Sequence, residues 1–298
     1  MCAAESAPTV SAGSEHSAAL GADGIVRTWG NDRSGQLGAG RRLSALAALQ
    51  VGIGLVAAVA AGAGYSLVVT SDGDVWGWGY NGYGQLAQGR EAPWSVPDRV
   101  RGLAGIAAVA ARNYSAAGLG RDGRVWTWGG NNGGSLGDGT LENRETPAAI
   151  PGLANIVAIA VGDSHMAALR DDGAVFTWGT NDRGQLGDGT LVDRVSPVRV
   201  PNLTDVRRIS AAGSFTYALK ADGSVWAWGS NGSGELGDGT TTDRSAPGRV
   251  PALPPIVEIS AQGSMALASD GTVWDWGYAP IGGRPGGLPG RIAGLSEV

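Results

Sequence analysis

The chain has 298 residues, a formal net charge of −5 and a single cysteine, Cys2. One cysteine excludes an intramolecular disulfide, and an acidic chain whose only lysine is Lys220 disfavours nucleic-acid binding through phosphate contacts. Although the chain contains 52 glycines, 43% of its residues are apolar, which excludes a disordered low-complexity protein and favours a folded one.

The N-terminal residues contain no recognisable targeting segment, because residues 1–10 lack the basic and apolar regions of a signal peptide. Localisation therefore stays open between the cytoplasm and a secreted form whose signal peptide is absent from this chain. The apolar stretch Ile53–Ala63 is too short to cross a bilayer, so no membrane span is predicted.

A Trp-Gly pair recurs along the chain at intervals of 49, 50, 50, 50 and 48 residues, and an Asp-Gly pair precedes each copy. The tryptophans of these pairs are Trp29, Trp78, Trp128, Trp178, Trp228 and Trp276. Six copies at near-constant spacing indicate a repeat architecture. We expect one domain over 1–298, with repeats at about 8–55, 56–105, 106–155, 156–205, 206–255 and 256–298.

The fourth repeat shows how one copy divides into strands. Its apolar and alternating segments predict four short strands, named A to D: Ile156–Val161, His165–Leu169, Ala174–Trp178 and Ser196–Val200. Asp172-Gly173 is typical of a tight hairpin between B and C. Four antiparallel strands in about 50 residues are typical of a propeller blade. We therefore predict an all-β, six-bladed β-propeller, with tryptophans packed between blades.

The two chain ends together complete one repeat, because Ile292–Val298 matches the end of one copy and Thr9–Gly13 matches the start of the next. This pattern predicts a propeller ring closed by joining the N- and C-termini, since an open array would leave apolar blade faces exposed. A seven-bladed propeller is the alternative, but no stretch of sequence is left to supply a seventh blade.

The segment Gly162–Gly187 reads Gly-x-x-His-x-x-Ala-Leu-x-x-Asp-Gly, continues through Phe176 and Trp178-Gly179, and ends in Gly-Gln-Leu-Gly. This repeat resembles that of the regulator of chromosome condensation (RCC1-like) family, and the Asp-Gly-Thr triplets at Asp188 and Asp238 are similar to its bacterial branch. Members are propellers, usually of seven blades, that serve as binding scaffolds. The resemblance implies a non-catalytic protein-binding scaffold, regulatory or inhibitory, with another protein as partner. We expect the chain itself to be a monomer.

Strand direction places the A–B turn and the C–D loop at the same end of each blade. These loops differ between repeats, as a binding face would, and they contain residue types that are frequent in interface hot spots. The candidate binding residues are Arg33, Tyr80, Tyr83, Trp94, Arg183 and Tyr278. The least regular stretches, 41–55, 87–94 and 280–289, lie in repeats 1, 2 and 6, so we expect the specific surface on this arc.

The alternative is an enzyme or small-molecule binder at the mouth of a central channel. Equivalent positions at the start of strand B hold His16, Tyr65, His165 and Phe215, and neighbouring carboxylates make Glu15, His16, Asp163 and His165 candidates for acid–base catalysis. The competing interpretation is that these histidines are structural. No nucleophile motif, phosphate loop or metal-ligand motif is present, so no metal and no cofactor are predicted.

Overall fold

The computed structural model describes residues 9–40, 42–88, 95–277 and 287–295. Their strands form six separate antiparallel sheets of four strands each. We number these sheets blades 1 to 6 in chain order. The fold is an all-β, six-bladed β-propeller, which confirms the predicted fold class. Cys2, Trp94 and Tyr278 lie outside the described residues.

By its internal contacts the chain divides into two compact units, of which the first comprises residues 1–131 and 141–155. It contains blades 1 to 3, each built from one continuous stretch in the order A, B, C, D. The strands are β1 (Thr9–Ala12), β2 (His16–Leu20), β3 (Val26–Gly30), β4 (Ala45–Gln50), β5 (Val56–Ala61), β6 (Tyr65–Thr70), β7 (Val75–Gly79), β8 (Asp98–Arg99), β9 (Ile106–Arg112), β10 (Ser115–Gly120), β11 (Val125–Gly129) and β12 (Arg144–Ala149).

The second unit comprises residues 132–140 and 156–298 and contains a short 3-10 turn, Asn132–Gly134, and blades 4 to 6. The strands are β13 (Ile156–Val161), β14 (His165–Arg170), β15 (Val175–Gly179), β16 (Arg194–Arg199), β17 (Val206–Ala212), β18 (Phe215–Lys220), β19 (Val225–Gly229), β20 (Arg244–Arg249), β21 (Ile256–Ser260), β22 (Met265–Ala268), β23 (Val273–Asp275) and β24 (Gly290–Arg291). No helix among the described residues has the length and apolarity needed to cross a membrane. A single domain over the whole chain stays a prediction.

Strand D of blade 4 begins two residues earlier than its sequence pattern suggested. β16 starts at Arg194, which pairs with Gly179 across a register shift in β15. The Arg194 guanidinium donates to the Asp188 carboxylate in the preceding loop over 2.9 Å. This ion pair fixes the strand entry, whereas the apolar alternation used for the prediction begins only after it.

The core lies between adjacent blades and is organised by the second tryptophan of strand C. The Trp78 and Trp228 side chains are fully buried. Each indole Nε1–H donates to a backbone carbonyl in the C–D loop of the preceding blade, Trp78 to Gln36 over 2.8 Å and Trp228 to Gln185 over 2.9 Å. Leu20, Val26 and Val68 pack beside Trp78 across blades 1 and 2. Trp29 of blade 1 is only partly buried.

Repeated backbone hydrogen bonds define the two ends of each blade. At one end the C–D loop is tied to the A–B turn, as Tyr80 N donates to Gly64 O over 2.8 Å and Thr180 N donates to Ser164 O over 2.9 Å. At the other end the Asp-Gly turn is tied to the next blade's entry, as Ile106 N donates to Gly73 O. We call the first of these the loop end of the blade.

Candidate functional site

Three tyrosines form one cluster at the loop end of blades 2 and 3. Tyr80 and Tyr83 lie in the C–D loop of blade 2, and Tyr114 lies in the A–B turn of blade 3. The ring centroids of Tyr83 and Tyr114 are 4.6 Å apart, and Tyr80 lies 5.7 Å from Tyr114 and 6.3 Å from Tyr83. Tyr83 and Tyr114 are each 36% exposed. Large apolar rings are therefore held together at a surface that water reaches.

The backbone around the cluster is fixed by hydrogen bonds that do not involve the rings. Asn81 Oδ1 accepts from Leu86 N over 2.8 Å, and Gln85 Oε1 accepts from Tyr83 N over 2.9 Å. Gly130 N donates to Tyr114 O over 2.9 Å and ties that turn to the C–D loop of blade 3. The phenol rings are thus presented by preformed turns, which lowers the entropy cost of binding.

A cavity of about 360 Å³ opens beside Tyr80 and Tyr114 and reaches blade 1, where Glu15, Asn31 and Arg33 line it. The Asn31 side chain contacts the Glu15 carboxylate and the backbone of Arg33. Its Nδ2 donates to Glu15 Oε2 over 2.7 Å, and its Oδ1 accepts from the Arg33 backbone N over 2.8 Å. We name the six residues Glu15, Asn31, Arg33, Tyr80, Tyr83 and Tyr114 the tyrosine surface.

The tyrosine surface offers aromatic rings, the Glu15 carboxylate, the Arg33 guanidinium and phenol hydroxyl donors. Burial raises the pKa of Tyr80 above its ordinary value, and the neighbouring Tyr83 and Tyr114 raise it further. The Tyr80 hydroxyl therefore stays protonated at neutral pH. This combination suits recognition of a mixed apolar and polar protein surface.

The structure brings together three of the predicted binding residues, Arg33, Tyr80 and Tyr83. Arg183 is placed elsewhere: its guanidinium lies 3.2 Å from the Asp243 carboxylate, within the second unit. Sequence reasoning missed Tyr114, because it searched for unusual residues in the C–D loops and Tyr114 lies in an A–B turn. Its position in blade 3 also extends the surface beyond the predicted arc of blades 6, 1 and 2.

The histidines of the alternative hypothesis lie inside the blade packing. His16 and His165 are 4% and 1% exposed. His16 Nε2 lies 2.9 Å from Ser66 Oγ, and that hydroxyl donates to Gln36 O over 3.0 Å. Burial lowers the pKa of His16 to about 4. The imidazole is therefore neutral and surrounded by protein at neutral pH.

The other predicted channel-mouth residues are also packed against protein. Tyr65 is fully buried, its hydroxyl donates to Ser115 O over 2.5 Å, and burial raises its pKa. The Phe215 ring is buried 5.3 Å from that of Tyr217.

Of the two acidic residues of the alternative, Glu15 belongs to the tyrosine surface. Asp163 lies in the A–B turn of blade 4, where its backbone N donates to Gly213 O over 2.8 Å. His16 and His165, which the alternative placed at an open mouth, are buried. Gly13 and Gly162 leave room for their imidazoles, because a Cβ atom there would lie 2.6 Å from His16 Cε1 and 2.1 Å from His165 Cε1.

A family model described as the RCC1-like domain matches residues 3–214, which is more than half of the chain. The chain belongs to the RCC1-like domain family. Two further models, both described as the regulator of chromosome condensation (RCC1) repeat, match residues 222–268 and 206–235 of this RCC1-like chain. No curated protein sequence matches it.

Three solved structures, one of human WBSCR16 and two of yeast Prp20, are similar to this RCC1-like chain. Human WBSCR16 is 22% identical, with a TM-score of 0.85 over 98% of this chain and 83% of its own. Yeast RCC1 (Prp20), bound by Kap60, is 20% identical, with a TM-score of 0.77 over 90% and 72%. Prp20p from Saccharomyces cerevisiae, studied for binding to Gsp1p and histones, is 24% identical, with a TM-score of 0.77 over 95% and 76%. At these identities the likeness shows a shared fold.

Proposed function

We propose that this RCC1-like chain is a non-catalytic scaffold that binds another protein through the tyrosine surface. The observation that carries the proposal is the cluster of Tyr80, Tyr83 and Tyr114, whose rings pack on one another while two of them stay partly exposed beside a charged cavity. Clustered tyrosines at a protein surface are the residue type and arrangement that binding hot spots favour.

The physical basis of binding is burial of the ring surface that water now reaches. Covering the Tyr83 and Tyr114 rings removes apolar area from water without ordering long flexible side chains. Glu15 and Arg33 carry opposite charges on one rim of the cavity. Such a pair selects the orientation of a partner more than it adds affinity.

Related propellers support a protein as the partner. Yeast Prp20 is bound by Kap60, and Prp20p has been studied for its binding to Gsp1p and histones. This support is an analogy between folds. The net charge of −5 favours a protein over nucleic acid as the partner of this chain. By covering a site on its partner, the scaffold would act as a regulator or an inhibitor.

The test compares three baits in affinity capture from a lysate of the source organism. They are the wild-type chain, the double variant Tyr83→Ser with Tyr114→Ser, and the control Leu191→Ser. Leu191 is 61% exposed in the C–D loop of blade 4, so the control removes an exposed apolar side chain away from the tyrosine surface. Captured proteins are identified and quantified by mass spectrometry.

We expect one protein to be enriched on the wild-type and Leu191→Ser baits and lost from the tyrosine double variant. Equal melting temperatures of the three baits would show that the double variant does not lose the partner through unfolding. Retention of the same partners by the tyrosine double variant would contradict the proposal.

A further inference from the structure

Proline occupies one equivalent position within or directly before strand D, the outer strand, in five of the six blades. Strand register aligns Pro97, Pro147, Pro197, Pro247 and Pro289, each directly before the residues that pair with the middle of strand C. In blade 1 the same position holds Ala48, because Gln50 pairs with Arg27 and Leu49 with Thr28. The outer strand of blade 1 therefore differs from all the others.

The direction of the backbone N–H at this position follows from the hydrogen bonds between strands C and D. In blade 4, Val200 N donates to Val175 O of strand C. Because N–H groups alternate in direction along a strand, Val198 points the same way and the nitrogen of Pro197 points outward. In blade 1, Val51 N donates to Val26 O. The N–H of Ala48 therefore points away from its sheet.

Proline lacks this N–H, so it stops a further strand from pairing with the blade edge. β4 has no such protection, and it carries no charged residue, whereas β16 and β20 begin and end in arginine. Leu46 is fully exposed, and no described segment pairs with the outer edge of β4. β4 thus presents a free edge with backbone donors and acceptors, although its pairing with β3 contains a register shift between Ala45 and Leu49.

A cavity of about 730 Å³ adjoins the C-terminal end of β4. Gln50, the last residue of β4, lines it together with Leu55 and Trp76. Its charged lining residues are Asp72 and Asp74, both carboxylates. Asp74 is paired with Arg99, whereas Asp72 is exposed and binds the Thr70 hydroxyl. The cavity is large enough for a side chain or a small ligand.

The geometry points to a second binding site at which an extended peptide segment of a partner adds a fifth strand to blade 1. The peptide backbone pairs with the outward groups of β4, including the Ala48 N–H. One of its side chains, a lysine or arginine, enters the adjacent cavity, where its aliphatic stem lies against Leu55 and Trp76 and its charge faces Asp72. This site is separate from the tyrosine surface and does not depend on its function.

The cavity favours a peptide over a second copy of this chain as the occupant. Two β4 strands paired edge to edge would satisfy the backbone but bring no charged side chain, because the segment Ala45–Gln50 reads Ala-Leu-Ala-Ala-Leu-Gln. The Asp72 carboxylate beside the edge favours a cationic partner, and β4 itself supplies no cation.

The test selects a phage-displayed library of random peptides on the wild-type chain and, in parallel, on Ala48→Pro. The substitution installs the residue that five other blades accept at this position, so it removes the outward N–H and keeps the ladder with β3. Ala48→Thr is the matched control, since it changes the side chain and retains the N–H. Affinities of the selected peptides are measured by fluorescence polarisation.

We expect the wild-type chain and Ala48→Thr to enrich peptides with alternating apolar residues and one lysine or arginine. Ala48→Pro should bind these peptides at least about tenfold more weakly. Asp72→Asn should weaken the lysine-containing peptides and leave their leucine analogues unchanged.

Three results would overturn the proposal. They are no enrichment on the wild-type chain, equal binding by Ala48→Pro, or a wild-type dimer in analytical ultracentrifugation that Ala48→Pro abolishes. The last result would assign β4 to self-association. None of these outcomes bears on the tyrosine surface, which is tested with Tyr83 and Tyr114.

Discussion

His16 Nε2 in blade 1 and Ser66 Oγ in blade 2 are 2.9 Å apart, although the two residues are separated by 50 positions in the sequence. The same relationship joins His165 to Thr216 across blades 4 and 5, also at 2.9 Å. In both places the hydroxyl in turn donates to a backbone carbonyl, Gln36 O or Gln185 O. The same carbonyl accepts from the indole Nε1–H of Trp78 or Trp228. Histidine in this repeat therefore links neighbouring blades.

The buried imidazole of His16 predicts a loss of stability in mild acid. Its pKa is lowered from 6.5 to about 4 by burial, so the unfolded chain takes up a proton first as the pH falls. The contribution of His16 is complete above pH 6.5 and decreases between pH 6.5 and about pH 4, by about 3 kcal/mol in total. Urea unfolding at a series of pH values measures it.

The matched variant for this titration is His16→Tyr, since blade 2 carries Tyr65 at the equivalent position. We expect the wild-type curve to fall relative to the variant curve across the interval from pH 6.5 to 4. Acidic groups shared by both proteins cancel in the difference, including Asp172, whose pKa is lowered to about 2 by the Arg170 guanidinium. Parallel curves would show that the His16 imidazole titrates normally.

A second prediction concerns the glycine three residues before the histidine. A Cβ atom at Gly162 would lie 2.1 Å from His165 Cε1, so Gly162→Ala forces the imidazole out of its place. We expect the free energy of unfolding to fall by about 2 kcal/mol. In a His165→Ser background the same change should cost little, because blade 3 combines Arg112 with Ser115 at these two positions. An equal cost in both backgrounds would rule out the steric explanation, and a double-mutant cycle measures the coupling.

The two tryptophans of β19 provide a third prediction. Trp228 is fully buried and its Nε1 donates to Gln185 O, whereas Trp226 is half-buried and its Nε1 donates to Ser224 Oγ over 3.2 Å within its own hairpin. Trp228→Phe should lower the free energy of unfolding by about 2 kcal/mol through the lost contact and the space left behind. Trp226→Phe should cost well under half of that. Equal costs in thermal and urea unfolding would show that packing between blades does not depend on Trp228.

The blades could be predicted from the sequence because each contains the same turn and strand motifs. Asp-Gly turns, Trp-Gly pairs and a period near 50 residues define strands A to C closely, and Ile156–Val161 matches β13 at both ends. Strand D was less well placed, because its start depends on the ion pair between Asp188 and Arg194 rather than on apolar alternation.

The candidate site was only partly predictable, for a different physical reason. Tyr80 and Tyr83 are unusual within their own repeat, so comparison of repeats found them. Tyr114 is significant only through its contact with rings of the neighbouring blade, 31 and 34 positions earlier in the chain. The burial of His16 likewise depends on Gly13 and on a second blade. Such relationships require the register between blades, which the repeat pattern of one blade does not contain.

Hydrogen–deuterium exchange of the chain, alone and with the partner captured by the wild-type bait, tests the central claim most directly. If the tyrosine surface binds the partner, exchange should slow in peptides covering 80–84 and 112–115 and in the loop that contains Arg33. Peptides covering Asp172-Gly173 and Asp222-Gly223, at the opposite end of their blades, should be unaffected. Slowing confined to blades 4 and 5, or to the Asp-Gly turns, would contradict the account.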